Sequence, residues 1–327
     1  MQKYVPPSLR NRPSQDAASA SAAGAAPLPS SPTTVHGRTG TWPPAQSQNK
    51  QTDLDHLSGS ARLSMHGDSF IGVFACLKEN AAHVQRYTGA SAKGLNNPAS
   101  KMGFGNSLVE SIQKVQPQYV MLFFGNVDIN INYPFDICTK GLVALSGKNF
   151  VDKVYDEYTA FIERKILTRL KGFGTNSAEE CLKTVYIAAA LMPVIQDKDL
   201  PKAIEKYSIK GDRPGLKMRT VQDVHLFNQE ERRKMVIYFN KRLEEFCSRF
   251  KHVQYVDINP ELTRDNNNSF IHPQFLSQDL TNIHVLWEPT IKFWIPHLKE
   301  AGLNENSIKS EDELMRASRD YAGRRGK

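Results

Sequence analysis

The sequence has no apolar run long enough to cross a bilayer, although 40% of its 327 residues are hydrophobic. A membrane-spanning helix needs roughly 20 consecutive apolar residues. The first residues also lack the basic segment and apolar stretch that are typical of a secretory signal. We therefore expect a protein that does not act at a membrane, is not exported and lies in the cytoplasm.

Cysteine is scarce, and its spacing excludes the usual metal and redox motifs. The four cysteines, Cys76, Cys138, Cys181 and Cys247, form no CxxC pair, and no histidine lies near them at the spacing of a zinc site. We expect reduced cysteines in the core, which fits a cytosolic or nuclear protein. We expect no metal and no cofactor.

Positive charge is in excess but is not concentrated. The formal net charge is +8, and no dense basic stripe appears along the chain. Proteins that bind nucleic acid through charge usually cluster their lysines and arginines on one face. A diffuse basic surface in contact with water is the simpler interpretation, so we expect no direct binding of nucleic acid.

Residues 1–60 lack the aliphatic pattern of a folded domain and are rich in Pro, Ala, Ser, Gly and Gln. Such a composition cannot bury enough apolar surface to offset chain entropy, which predicts a disordered N-terminal arm. Its segment YVPPSLR resembles the short segment that opens many DEAD-box RNA helicases. This resemblance implies a protein partner for the arm, and an ordinary disordered terminus is the alternative.

From residue 61 onward, strand and helix signals alternate five times. ARLSM, HVQRY, QYVMLFF, TVYIAAALM and VQYVDI read as strands, and helical patterns lie between and after them. The run QYVMLFF is apolar on both faces, as a central parallel strand should be. The pattern predicts one α/β domain over residues 61–303, with a five-stranded parallel sheet covered on both faces and a flexible C-terminal tail over residues 304–327.

Polar residues gather where these strands end, which is where α/β proteins place their chemistry. Ser69 follows the first strand in HGDSF, at the start of a predicted helix. A serine hydroxyl becomes a nucleophile when a base removes its proton and a third group orients that base. His284, between the last strand and the last helix, is the candidate base, and Asp279 is the nearest upstream carboxylate.

Four short segments carry a resemblance to a known family: HGDSF after the first strand, TGAS after the second, GNVD after the third, and a histidine before the last helix. On these segments, residues 61–303 resemble the GDSL or SGNH hydrolases. The resemblance implies a flavodoxin-like three-layer sandwich. It also implies that Ser69 is the nucleophile, that His284 is the base, and that the backbone N–H groups of Ser69 and Gly89 bind the oxyanion.

Two motifs depart from the family pattern. GNVD stands in place of GxND, so Val127 occupies the asparagine's position and Asn126 lies one residue early. We expect Asn126 and Asp128 to contact the oxyanion or substrate, or else to be turn residues that end a strand. In the last motif, Thr281 stands where the family has its aspartate, so Asp279 or, failing it, Glu288 is expected to orient the histidine.

Two functions of different classes follow from these residues. The first is a serine esterase that cleaves a small, perhaps acetyl, ester of a small molecule or glycan through an acyl-enzyme. The second is a catalytically weak or inactive SGNH-type binding module, which the N-terminal arm recruits to an RNA or translation complex. On that second interpretation Asp68 and Ser69 only cap a helix, a common role for both residue types.

Overall fold

The computed structural model describes residues 62–140, 145–169, 182–208, 226–263, 270–314 and 316. The arm predicted for residues 1–60 lies outside these residues, as do Cys181 and half of the predicted C-terminal tail, residues 315 and 317–327. Within the described residues, no helix is long and apolar enough to span a membrane.

The domain is built on one five-stranded sheet. Its strands are β1 (Leu63–Gly67), β2 (His83–Arg86), β3 (Tyr119–Phe123), β4 (Thr184–Ala188) and β5 (Val253–Val256), in the order β2-β1-β3-β4-β5. All neighbouring pairs are parallel. This is the strand order of flavodoxin-like sheets, and it confirms the predicted α/β architecture.

The central strands β3 and β4 are largely apolar on both faces, whereas β1 also buries Ser64 and His66, whose side chains hydrogen-bond to each other. Every residue of β1, β3 and β4 is buried, whereas the edge strands β2 and β5 are partly exposed. In the register, Gly67 lies opposite both Phe123 and Arg86. The carboxyl ends of the first three strands in the chain therefore meet at one edge of the sheet.

Helices cover the sheet and complete the three-layer sandwich. They are α1 (Phe104–Val115), α2 (Tyr133–Lys140), α3 (Gly147–Phe161), α4 (Leu200–Ser208), α5 (Gln229–Cys247), α6 (Asn259–Leu262) and α7 (Ile291–Trp294). The two long helices each bury one apolar stripe, with Val154 and Tyr158 of α3 and Phe239 and Leu243 of α5 fully buried. Side chains spaced three and four apart share one face of a helix, which explains these stripes.

The helix that follows β1 differs from the prediction in its winding. Residues Ser69–Cys76 form a 3-10 helix rather than an α-helix, and they still bury Phe70, Ile71 and Phe74. The last predicted helix is also shorter than expected, since α7 is followed by a 3-10 turn at Pro296–Leu298.

Residues after Leu303, which we expected to begin the flexible tail, contact the domain. The backbone N–H of Lys309 donates to Cys76 O at 2.9 Å, and the backbone N–H of Lys78 donates to Ser307 O at 2.8 Å. Ile308 forms an antiparallel bridge with Leu77. The ordered chain therefore continues beyond the predicted boundary at residue 303.

Candidate active site

Ser69 lies where β1 turns into the 3-10 helix. Asp68 caps that helix, because its Oδ1 accepts from Phe70 N at 2.9 Å, and the Asp68 backbone N–H donates to Phe123 O at 3.1 Å. Gly67 allows this close approach, since a Cβ there would lie 2.7 Å from Phe123 O. The sequence HGDS thus holds Ser69 half-buried at the edge of the sheet where the strands end.

His284 lies next to Ser69 although 215 residues separate them in the chain. The distance from Ser69 Oγ to His284 Nε2 is 2.7 Å, which confirms the predicted proximity. On the other side of the ring, His284 Nδ1 is 2.9 Å from Asn282 Oδ1. An amide oxygen can only accept, so Nδ1 holds the proton and Nε2 is the acceptor that a serine hydroxyl needs.

Asn282, rather than a carboxylate, is therefore the residue at Nδ1. Its Oδ1 also accepts from the backbone N–H of His284 at 3.1 Å, so one local turn fixes both the ring and the backbone. The sequence analysis missed Asn282. The spacing could have indicated it, because the side chain of an Asn or Asp can accept a hydrogen bond from the backbone N–H two residues later.

The expected acid Asp279 is engaged elsewhere. Its Oδ2 accepts from Lys206 Nζ at 2.6 Å, and its Oδ1 accepts from Thr281 Oγ1 at 2.6 Å. The hydrogen bond from Lys206 is the main reason that the pKa of Asp279 is lowered to about 2. The alternative acid Glu288 is exposed, and its charge helps to raise the pKa of the buried Cys76 thiol, after burial itself.

Aromatic side chains surround the imidazole. The ring centroids of Phe70, Trp287 and Tyr207 lie 4.5, 6.3 and 6.4 Å from that of His284. Trp287 packs directly on the backbone of Gly72, where a Cβ would lie 2.4 Å from the indole. These aromatic side chains shield one side of the Ser69–His284 pair from water.

A cavity of about 460 Å³ opens beside Ser69 and His284. This volume suits a small organic ligand. Its apolar lining residues are Val127, Ile131, Phe135, Ile283 and Trp287. Gly89 also lines it with a φ of +81°, a left-handed conformation that favours glycine.

Two backbone donors at this cavity have no protein acceptor. Within the described part of the chain, neither Ser69 N–H nor Gly89 N–H makes a hydrogen bond to another protein group. Ser69 N–H is one of the donors that the first turn of a helix leaves unpaired. Both residues line the cavity, so these donors are placed where a ligand oxygen could accept from them.

Asn126, which we expected to contact the oxyanion, does not line the cavity. Asn126 is fully buried, and its Oδ1 accepts from Leu191 N at 2.8 Å, which ties the end of β3 to the end of β4. The next residue, Val127, lines the cavity instead. The cavity therefore has an apolar group at the position where the resembled family has an amide donor.

Asp128 does not face the cavity either. It is fully buried, its Oδ2 accepts from Ala92 N at 2.6 Å, and burial raises its pKa to about 6. Asp68 is also fully buried, and burial is the main reason that its pKa is raised to about 8. Both carboxyl groups connect loops at the ends of the strands, and the structure gives them positioning roles rather than contact with a ligand.

Comparison with known proteins identifies no family for this chain. No protein-family model matches the chain, and no curated protein matches its sequence. One solved structure, a protein from Streptococcus pneumonia proposed to be a platelet activating factor, aligns over 76% of this chain and 86% of its own. Its sequence identity is 11% and its TM-score 0.38, so it supports no conclusion about activity. The site must be interpreted from its own geometry.

Proposed function

We propose that the chain is a serine ester hydrolase that cleaves a small ester, such as an acetyl ester, through an acyl-enzyme. The observation that supports it most strongly is the 2.7 Å hydrogen bond between Ser69 Oγ and His284 Nε2 at the wall of the cavity. A hydroxyl that donates to an oriented imidazole is the arrangement of an activated nucleophile.

In the proposed reaction, His284 Nε2 takes the hydroxyl proton as Ser69 Oγ attacks the ester carbonyl carbon. The resulting imidazolium then gives this proton to the leaving alkoxide, which departs as the alcohol. A water molecule attacks the acyl-enzyme with the same proton relay, and the acid and free Ser69 are the products. Asn282 keeps the proton on Nδ1 throughout both steps.

The backbone N–H groups of Ser69 and Gly89 are the proposed donors to the oxyanion. Val127 supplies no third donor. Loss of one such donor typically lowers the rate by about 10² to 10³, whereas loss of the nucleophile or base costs far more. We therefore propose that the enzyme is slow, because it lacks one oxyanion donor but has both the nucleophile and the base.

Two alanine variants test this function. Ser69→Ala and His284→Ala should each lower kcat for 4-nitrophenyl acetate by at least about 10³, and combining them should add little because the two residues act as one unit. The exposed residues Ser107 and His252 provide matched controls, and Ser107→Ala and His252→Ala should retain wild-type rates. Equal rates in the Ser69→Ala variant and the wild type would contradict the proposal.

A second candidate, an inactive binding module, is supported by a different observation. Val127 replaces a donor in the cavity and the neutral Asn282 replaces a carboxylate at His284, and both changes weaken catalysis without closing the cavity. Wild-type protein that binds a small ester in this cavity but releases no alcohol from it would favour this candidate over the hydrolase.

A further inference from the structure

One cation, Arg86, lines the cavity and has no partner among the residues that the structure describes. Arg86 is the last residue of β2, it is exposed, and it lies opposite Gly67 in the sheet, two residues before Ser69. Within the described residues its guanidinium makes no hydrogen bond or ion pair with another side chain. It is therefore available to a ligand in the cavity.

Other cations close to the site are already engaged. Lys206, the chain neighbour of the cavity residue Tyr207, is paired with Asp279 at 2.6 Å. Lys93 lies 4.6 Å from the centroid of the Phe150 ring, and its charge stabilises the Asp128 carboxylate. Arg86 differs from both in having no neutralising group.

No carboxylate balances Arg86 within the cavity. None of the described residues that line it is an aspartate or glutamate. The other polar side chains near Arg86, among them Thr88 and Asn132, are neutral. The potential at the mouth of the cavity is positive, which attracts an anionic ligand and disfavours a cationic one.

We propose that Arg86 forms an anion subsite, so that the preferred substrate is an ester that also has a carboxylate or phosphate group. This inference rests on the proposed hydrolase function and adds a specificity residue to it. A guanidinium presents two parallel N–H donors that match the two oxygens of such a group. The anion is bound and is not altered, while the ester carbonyl lies at Ser69.

The test compares two esters that share a leaving group. They are 4-nitrophenyl hydrogen succinate, whose acyl group ends in a carboxylate, and 4-nitrophenyl butyrate, which is neutral. The ratio of their kcat/KM values should favour the succinate ester in the wild type. In Arg86→Gln this ratio should fall by about ten- to a hundredfold, mainly through KM, since a hydrogen bond to a charged group is lost. Arg86→Lys should restore part of it.

Lys114→Gln is the matched control, because Lys114 is an exposed cation at the end of α1 and does not line the cavity. It should leave both rates unchanged. An unchanged ratio in Arg86→Gln, while Ser69→Ala still abolishes butyrate hydrolysis, would overturn the anion subsite and leave the hydrolase standing. If Ser69→Ala abolishes neither reaction, the proposed function itself fails.

Competition experiments identify which kind of anion the Arg86 subsite binds. Propionate and methyl phosphate are tested as inhibitors of butyrate hydrolysis by wild type and Arg86→Gln. Inhibition that weakens in the variant supports the subsite and assigns it to a carboxylate, a phosphate or both, according to which compound inhibits. Inhibition by neither compound, or equal inhibition of both proteins, would overturn it.

Discussion

At the residue scale, the proposed base His284 depends on Asn282 for its tautomer. The Asn282 amide oxygen fixes the tautomer through the 2.9 Å bond to Nδ1, but it has no negative charge to stabilise an imidazolium. Asn282→Asp should therefore raise kcat by roughly tenfold or more, because a charged acceptor makes a stronger hydrogen bond, whereas Asn282→Ala should lower it. Ester hydrolysis measured across a range of pH checks both. Asn106→Asp, at an exposed position of α1, is the control, and equal rates for all three variants would contradict the role of Asn282.

Val127 offers a gain-of-function test. This residue lines the cavity, so an amide at this position is placed to donate to the oxyanion. Val127→Asn should raise kcat, by up to about 10² if the amide adopts the required geometry. Val127→Thr is the control, because it adds a hydroxyl group at nearly the same side-chain volume and so tests whether added polarity alone raises kcat. No increase in the asparagine variant, in a protein shown to be folded, would count against the assigned position of the oxyanion.

Asp68 predicts a dependence of stability on pH. Burial raises its pKa from 3.8 to about 8 in the folded chain. Between these values the folded state holds a proton that the unfolded state releases, so this contribution to stability is complete below pH 3.8 and is lost as the pH rises towards 8. An asparagine resembles the protonated group. The Tm of Asp68→Asn relative to wild type should thus increase from pH 5 to pH 8. Asp312→Asn, at an exposed site, should show no such trend, and a constant difference for Asp68→Asn would contradict the argument.

Ser69 and His284 were predicted to act together, and they lie 2.7 Å apart, whereas Asn282 beside His284 was not predicted. Ser69 and His284 were predictable because both follow strands whose ends meet at one edge of a parallel sheet. The contacts of Asn126 were not predictable, because its Oδ1 accepts from Leu191 N and it is its neighbour Val127 that lines the cavity. Which way a loop residue points depends on packing that spacing in the sequence does not encode.

At the element scale, the segment after Leu303 stabilises the helix that begins with Ser69. Lys309 Nζ donates to Ala75 O at 2.7 Å, and its backbone N–H donates to Cys76 O. These carbonyls end the 3-10 helix, where backbone acceptors would otherwise lack partners. The basic side chain also suits the negative end of the helix dipole.

Lys309→Met should therefore lower the thermal stability of the domain. One hydrogen bond of about 1 kcal/mol corresponds to a decrease in Tm of roughly 2 to 4 °C for a domain of this size. Differential scanning calorimetry measures this change, and Lys251→Met, at an exposed lysine, is the control. An unchanged Tm for Lys309→Met would show that the side-chain contact contributes nothing measurable.

The strands β3 and β4 were the most predictable, because each is a largely continuous apolar run, which few other elements produce. Helix ends were less predictable. The α5 helix spans Gln229–Cys247 and begins where the Asn228 side chain caps it by accepting from Glu231 N. The contact made by residues 304–309 could not be predicted, because it depends on one bridge and a few backbone hydrogen bonds rather than on an apolar pattern.

At the scale of the whole molecule, the parallel sheet is what brings two residues 215 positions apart to 2.7 Å. It also places Arg86 of the edge strand at the same cavity. The central claim is that this arrangement activates Ser69 as a nucleophile. A fluorophosphonate probe reacts with an activated serine and needs no knowledge of the natural ester.

Labelling of the full-length protein with such a probe, followed by intact-mass and peptide mass spectrometry, is the most direct test. The account predicts one adduct on Ser69 in the wild type, greatly slowed labelling in His284→Ala and none at this position in Ser69→Ala. Wild-type protein that stays folded and takes no adduct on Ser69, or takes it equally fast without His284, would contradict the claim.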